Sequence, residues 1–275
     1  MPEQHQITHV EMTRSEAALS VEDAVIVEEP LEVRVDGVAL AVLMRTPGDD
    51  ASLAAGFLLT EGVIEVPSDL TSLGPCTDPN RPHAGNVFLA QLAPGCPDSA
   101  ERIAHAQREF YASSSCGLCG KATIESIHQR VTPYDAYQVV SAAVLASLDE
   151  AAAALQPSFA KTGGCHAAVA FTVHGPVSVL ASAEDVGRHN AVDKVVGTLL
   201  LEDALPTQDA ILWVSGRASF EMVQKALMAG FAALVCVGAP TSLAIEMARA
   251  SRLVLVGFAT APGRYNVYAG QVGDE

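Results

Sequence analysis

The sequence predicts an α/β protein: a layered α/β/α domain in its C-terminal part, preceded by a smaller β-rich part. Three observations carry this reading. Short apolar runs rich in β-branched residues alternate with helical-period stretches over the last 110 residues. Apolar–polar alternation broken by a turn signal marks residues 23–47. Apolar residues make up 49% of 275, ample for a large core.

The elements follow in order. Residues 1–20 are polar and read as a loose or edge-pairing leader. DAVIVEEPLEVRVDGVALAVLMRTP reads as strands, with Val33 and Val35 on one face and Asp36-Gly37 as a hairpin turn. DDASLAAGFLLTEGVI reads as a helix: Asp49 or Asp50 caps it, Leu53, Phe57 and Leu58 give its apolar face, and Gly62 ends it. Residues 65–100 read as loops with one strand around NVFLAQL, and residues 103–110 as the end of a strand or helix. YDAYQVVSAAVLASLDEAAAAL reads as one helix. HAAVAFTVHG and PVSVLASAED follow as strands, then HNAVDKVVGTLLLE as a helix. AILWVSG, ALVCVGA and LVLVGFA are strands separated by the helices SFEMVQKALMAG and SLAIEMARAS. These last three strands are expected to be parallel, joined by right-handed crossovers. The expected divisions are 1–110 for the β-rich part with one helix, 111–128 for a cysteine loop and 129–275 for the α/β domain.

Charge and cysteine content narrow the function. Sixteen basic residues against 32 acidic ones give a net charge of -16. That surface repels phosphate backbones and anionic lipid, so neither nucleic acid nor membrane is an expected partner. Six cysteines are too sparse for a disulfide scaffold. The N-terminus has no apolar signal core and no apolar run reaches a membrane span, so a cytoplasmic setting with reduced thiols is expected.

SSSCGLCGK places Cys116 and Cys119 three apart on a Ser/Gly loop followed by Lys121. Three chemistries use this spacing. Half a zinc site is one, with Cys165-His166 as the remaining ligands, although no second CxxC or HxxxH is present. A redox pair is another, although the flanking glycines disfavour the helix start such pairs use. The third is a nucleophilic or carrier thiol, which Lys121 and the turn amides would ionise and a mobile loop would carry.

Three further segments share one grammar, an apolar strand turning into a helix. They are SAEDVGRHNAVDKVVG, WVSGRASFEMVQKAL and VGAPTSLAIEMA. Such turns gather at one sheet edge, where open α/β sheets take ligands. Arg188, His189 and Arg217, with Thr241 and Ser242, are then candidates for a phosphate-bearing, nucleotide-like ligand. A charged capping loop is the plain alternative for the first segment. In GFATAPGRYNVYAG, Arg264, Tyr265 and Asn266 can stack on and hydrogen-bond to a base, or simply lead into a last edge strand.

Taken together and in this order, RTPGDDASLAAGFLLTEGVI, SSSCGLCGK, KTGGCHAAVA, SAEDVGRHNAVDKVVG, SGRASFEMVQKA, GAPTSLAIEMA and GFATAPGRYNVY resemble the formate dehydrogenase accessory sulfurtransferase family (FdhD), over about residues 28–270. The resemblance implies a sulfurtransferase that takes persulfide sulfur from a cysteine desulfurase. It passes that sulfur to the molybdenum bis(molybdopterin guanine dinucleotide) cofactor, its bound substrate, before the cofactor enters formate dehydrogenase. Cys116 matches the persulfide cysteine and Cys119 its companion. The cofactor-binding segment falls on Phe258, Ala259, Thr260, Ala261, Pro262 and Gly263, with Arg264 and Asn266 just beyond. A homodimer would suit the two guanine arms. The family's C-terminal part is similar to the cytidine deaminase fold. Zinc deaminases carry H-x-E and P-C-x-x-C, whereas His166 here is followed by Ala167 and Ala168, and no Pro precedes Cys116. No resident metal is therefore expected. Two other functions stay open: a non-catalytic cofactor-binding chaperone and a zinc-dependent nucleotide hydrolase.

Overall fold

The computed structural model describes residues 6–14, 19–114, 132–261 and 263–273. The described part of the leader takes the edge-pairing alternative. Strand β1 (Ile7–Arg14) pairs antiparallel with β2 (Leu19–Ile26) in a two-stranded ribbon. A second sheet has the order β4-β3-β6-β5, from β3 (Glu29–Val35), β4 (Val38–Arg45), β5 (Leu70–Pro75) and β6 (Val87–Leu92). The Asp36-Gly37 turn joins β3 to β4 with both residues at positive φ, the geometry that a tight hairpin needs. Val33 and Val35 are fully buried on one face, as their period of two requires. Residues 65–100 contain a strand, β5, that the Pro/Gly-rich composition hides.

Helix α1 (Asp50–Thr60) follows β4, and α2 (Ser99–Ser114) follows β6. Asp49 stands at the N-cap of α1 in a left-handed conformation without a side-chain cap bond, and the Asp50 carboxylate accepts from Arg45. The long helix expected from YDAYQVV onward begins only at α3 (Ala142–Ala153). Ser141 caps it by accepting from Ala143 N, while Val140 and Ser141 form a short strand, β7, paired with the terminal β14 (Val272–Gly273). Tyr134 anchors the preceding segment by donating to the Phe231 carbonyl at 2.9 Å. Helix α4 (Pro157–Thr162) then leads into the main sheet.

That sheet has the order β13-β12-β11-β10-β8-β9. Its strands are β8 (His166–Thr172), β9 (Val179–Asp185), β10 (Ala210–Val214), β11 (Ala233–Cys236), β12 (Val254–Ala261) and β13 (Arg264–Ala269). Strands β10, β11 and β12 are parallel, as their sequence rhythm predicts, while β8 and β13 run antiparallel to their neighbours. Helices α5 (Arg188–Leu201), α6 (Phe220–Met228) and α7 (Ser242–Ser251) connect successive strands. With α1 they pack on Leu212, Val214, Leu234 and Leu255. On the opposite face Val144, Leu145 and Leu148 of α3 pack against Phe171, Trp213, Val235 and Val256. The alternation along β10 thus feeds two cores, and the layering is α/β/α.

The β-rich part is joined to the main sheet through α1 and α5, which cross at two glycines. A Cβ on Gly56 would stand 1.8 Å from the Asp193 carbonyl oxygen, and one on Gly197 would stand 1.8 Å from that of Ser52. Beside the crossing, Asp193 and Lys225 form a buried ion pair at 2.9 Å, with Thr60 accepting from Lys225 and donating to Asp193. Gly56→Ala or Gly197→Ala should cost more than about 2 kcal/mol by overpacking, against the gain of about 1 kcal/mol that alanine usually brings to a helix. Urea unfolding of both variants checks this, and parent-like stability in either would refute the crossing.

Candidate functional site

Strand directions place the C-terminal ends of β9, β10, β11 and β12 at one edge of the main sheet, with the starts of β8 and β13. The three strand–turn–helix segments therefore do meet there. Their polar residues divide into two groups with different work.

Most of SAEDVGRHNAVDKVVG is turned inward. Asp185 accepts from Thr46 N at 3.0 Å, Gly187 N at 2.8 Å and Asn190 Nδ2 at 2.9 Å, and pairs with Lys194 at 2.9 Å. Lys194, fully buried, also donates to the Thr46 carbonyl, and Asn190 donates to the Met44 carbonyl at 2.6 Å. Thr46 Oγ1 accepts from Val186 N in return. The end of β4 and the turn after β9 thus build each other. The plain reading of a capping loop holds for Asp185, Asn190, Asp193 and Lys194. The spacing 190, 193, 194, 197 is one helical face, and it was the available signal. Glu184 is likewise taken up: its carboxylate accepts from Ser158 N and Phe159 N at the start of α4, and from the Cys165 thiol.

Arg188 and His189 remain at the edge. Arg188 Nε is buried and meets no acceptor among the described residues. His189 Nε2 lies 2.8 Å from Glu221 Oε2, a contact that holds the Glu221 carboxyl below its ordinary range. His166 opens β8 beside them. Ser215 Oγ accepts from Ala167 N at 3.0 Å and lies 3.4 Å from His166 Nδ1. Burial, then the charges of Arg188 and His189, lower the His166 pKa, so its imidazole is neutral at pH 7. Ser215, Gly216 and Glu221 join this group only through the fold.

Arg217 is exposed, its stem lying across Gly238, where a Cβ would come within 2.9 Å of Arg217 Cγ. Thr241, and not Ser242, caps α7 by accepting from Ala244 N. Its hydroxyl is engaged in that cap, and Ser242 is already the first helical residue.

Beyond β11, Phe258, Thr260, Gly263, Arg264, Tyr265 and Asn266 line an open depression of about 560 Å³. The register of β12 and β13 shifts between Gly257 and Ala261, and Phe258 is held at φ +56° with its N–H donating to the Gly238 carbonyl. This bulge turns the ring outward, 43% exposed, in a conformation that bulky residues avoid. Ala259 is buried in the second core, Ala261 ends β12 at the sheet edge, and Pro262 lies outside the described residues. Cys116, Cys119 and Lys121 lie outside them as well. Among the described residues, no group of three or more His, Cys, Asp or Glu side chains is placed to hold a metal ion. No helix among them is long and apolar enough to cross a membrane.

Comparison with known proteins agrees on one family. The FdhD/NarQ family pattern matches residues 26–272. A protein of Anaeromyxobacter dehalogenans named sulfur carrier protein FdhD is 46% identical over 256 residues, covering 91% of this chain and 88% of that one. Proteins of the same name from Streptomyces avermitilis and Mycobacterium tuberculosis are each 45% identical, covering 90% and 84% of this chain. A solved structure from Desulfotalea psychrophila, assigned as a formate dehydrogenase accessory protein, superposes with a TM-score of 0.72 over 96% of both chains at 22% identity, a likeness of fold.

The described cysteines bear on where sulfur chemistry can occur. Burial, then the Glu184 carboxylate, push the Cys165 thiol up to about 12, and burial pushes Cys236 up to about 11. Both are closed to solvent. Treating the native protein with a small alkylating reagent at pH 7.5 should leave Cys165 and Cys236 unmodified in peptide mass spectra, with labelling complete only after denaturation. Rapid labelling of Cys165 in the native state would contradict its burial.

Proposed function

Because the chain belongs to the FdhD/NarQ family, we propose that it is a sulfur carrier acting through a persulfide on Cys116. In this reading the Cys116 thiolate attacks the outer sulfur of a persulfide on a cysteine desulfurase. One S–S bond forms as the other breaks, the desulfurase cysteine leaves as a thiolate, and Cys116–S–SH remains. The acceptor is the molybdenum bis(molybdopterin guanine dinucleotide) cofactor destined for formate dehydrogenase, handled as substrate. Release of the outer sulfur to the metal as sulfide regenerates the Cys116 thiolate and draws two electrons from the metal centre.

The observation that carries this reading is the sheet edge, where an aromatic and Arg-lined depression adjoins a cationic turn. Phe258 and Tyr265 offer faces for a purine, and Arg264 and Asn266 offer donors and an acceptor for its edge. Arg188 and Arg217 supply positive charge for the phosphates, against the acidic balance of the chain. Cys76, Cys165 and Cys236 are buried thiols, and burial with the Asp69 charge raises the pKa of the half-buried Cys96 thiol, which leaves the Ser/Gly-flanked Cys116–Cys119 pair favoured as the reactive one. A homodimer would present two such edges to the two guanine arms. In the competing chaperone reading, the same edge binds cofactor and no cysteine reacts.

Two measurements separate these readings. Incubation with cysteine and a desulfurase should add the mass of one sulfur to the Cys116 peptide, and Cys116→Ala should abolish formate dehydrogenase activation by at least about a hundredfold. A Cys116→Ala protein that activates the dehydrogenase normally would favour the chaperone. Titration with GDP should protect the backbone amides of residues 258–266 from exchange, and unchanged exchange there would remove the guanine assignment.

A further inference from the structure

Strands β1 and β2 form an arm whose cross-strand pairs run in unbroken register from Ile7–Ile26 to Arg14–Leu19. Opposed residues share a face of such a ribbon. Ile7, His9, Ala24 and Ile26 therefore lie on one side, and Thr8, Val10, Met12, Val21, Asp23 and Val25 on the other. The first side meets the body at the root of the arm, where a Cβ on Gly164 would stand 3.1 Å from Ile26 Cγ2. Gln6 secures that root: its carbonyl accepts from Val27 N at 2.8 Å, and its side-chain oxygen from Ser158 Oγ at 3.4 Å. The second side is turned away from this contact. Val10, Met12, Val21 and Val25 stand on it without being buried, Val10 at 40% exposure. An isolated two-stranded ribbon is marginal in water and is stabilised when its apolar face is covered. One charge sits in that face, Asp23, directly opposite Val10. Among the described residues its carboxylate accepts only from the adjacent Ala24 N, at 3.0 Å. A cover for this face thus needs apolar groups around a cation.

We propose that the outer face of this arm docks the dehydrogenase that receives the cofactor, on a surface where apolar side chains surround a lysine or arginine. Docking here rests on the carrier reading above and gives it a delivery surface. The arm is rooted at the edge of the main sheet that holds the Phe258 depression. Gly164 lies two residues before β8, and the start of α4 holds the Glu184 carboxylate near the end of β9. A recipient has to bring its cofactor entrance to that edge, which sets the rim of the entrance against the arm. The cofactor is polyanionic, so the entrance is cationic, and an acidic apolar face complements such a rim. A sulfur donor has only to meet Cys116. A second copy of the chain fits the face poorly. Two arms laid together would enclose two Asp23 carboxylates with no cation between them. Anionic lipid would be repelled by Asp23, and by Glu11 and Glu22 on the reverse side.

The test immobilises cofactor-free formate dehydrogenase and titrates the full chain onto it by biolayer interferometry, as parent and as three variants. Asp23→Lys reverses the charge of the outer face, and a double variant, Val10→Ser with Met12→Ser, removes apolar surface from it. His9→Gln alters the reverse side as a control. Parent-like thermal melting shows that each fold is intact, and the exposed Asp23→Lys change keeps the test open should the double variant melt early. Both outer-face variants should bind at least about tenfold more weakly, and His9→Gln within about twofold of the parent. Sulfur loading on Cys116 should stay at the parent level in all three, while dehydrogenase activation falls in step with binding. Equal binding by the parent and both outer-face variants, or no binding by the parent, would overturn the docking face and leave the carrier reading standing. A parent dimer that the double variant converts to a monomer, measured by light scattering, would assign the face to a second copy instead. Weakened binding by both variants of a chain that never loads sulfur on Cys116 would uphold the docking face and remove the persulfide step.

Discussion

Two bare α-carbons let α1 and α5 touch backbone to backbone, and most of the site's geometry follows from that contact. Gly56 and Gly197 leave no space for a side chain between the helices. Close approach of this kind fixes the β-rich part on the main sheet with little freedom to slide. It brings the end of β4 under the turn after β9, where Thr46 and Asp185 exchange hydrogen bonds. The start of α5, and hence Arg188, is set by a strand more than a hundred residues earlier in the chain.

The buried charges serve the same join. Lys194 and Asp185 form one closed pair, Lys225 and Asp193 another, and Arg45 a third with Asp50. Burial by itself would discharge Lys225, yet Asp193 and Glu61 outweigh it and hold the ammonium charged. Such pairs add little net stability over apolar packing, but each is costly to break once desolvated. They tie α1, α5, α6 and the β4 end in a single register. In a chain of net charge -16, several basic residues are thereby withdrawn into the interior, while Arg188, Arg217 and Arg264 stay at one sheet edge. A local positive field there stands out against an acidic surface.

Sulfur is partitioned in a similar way. Cys165 and Cys236 are held as neutral thiols among carbonyl and carboxylate oxygens, with Cys236 directed at the Gly238 and Val256 carbonyls. A thiol in such surroundings is a poor nucleophile. The Ser/Gly setting of Cys116 and Cys119 has the opposite character, so the sequence and the buried cysteines direct attention to the same pair.

Period and composition were enough to place the alternating C-terminal elements, the parallel β10–β12 set, the β3–β4 hairpin and α1, because each is decided by neighbours within a few residues. The motifs at the sheet edge were legible for the same reason, since a strand, a turn and a helix start are local events. Three things were not. Strand β5 and the late start of α3 depend on pairing partners and tyrosine anchors far away in sequence. The division of DVGRHNAVDK into inward Asp185, Asn190, Asp193 and Lys194 and outward Arg188 and His189 depends on which helix face meets α1. The grouping of His166 with Ser215 and Gly216 depends on the order in which strands join the sheet. Hydrophobic period fixes which residues are helical or extended, but only packing between distant segments decides which polar side chains are enclosed and which are left to meet a ligand.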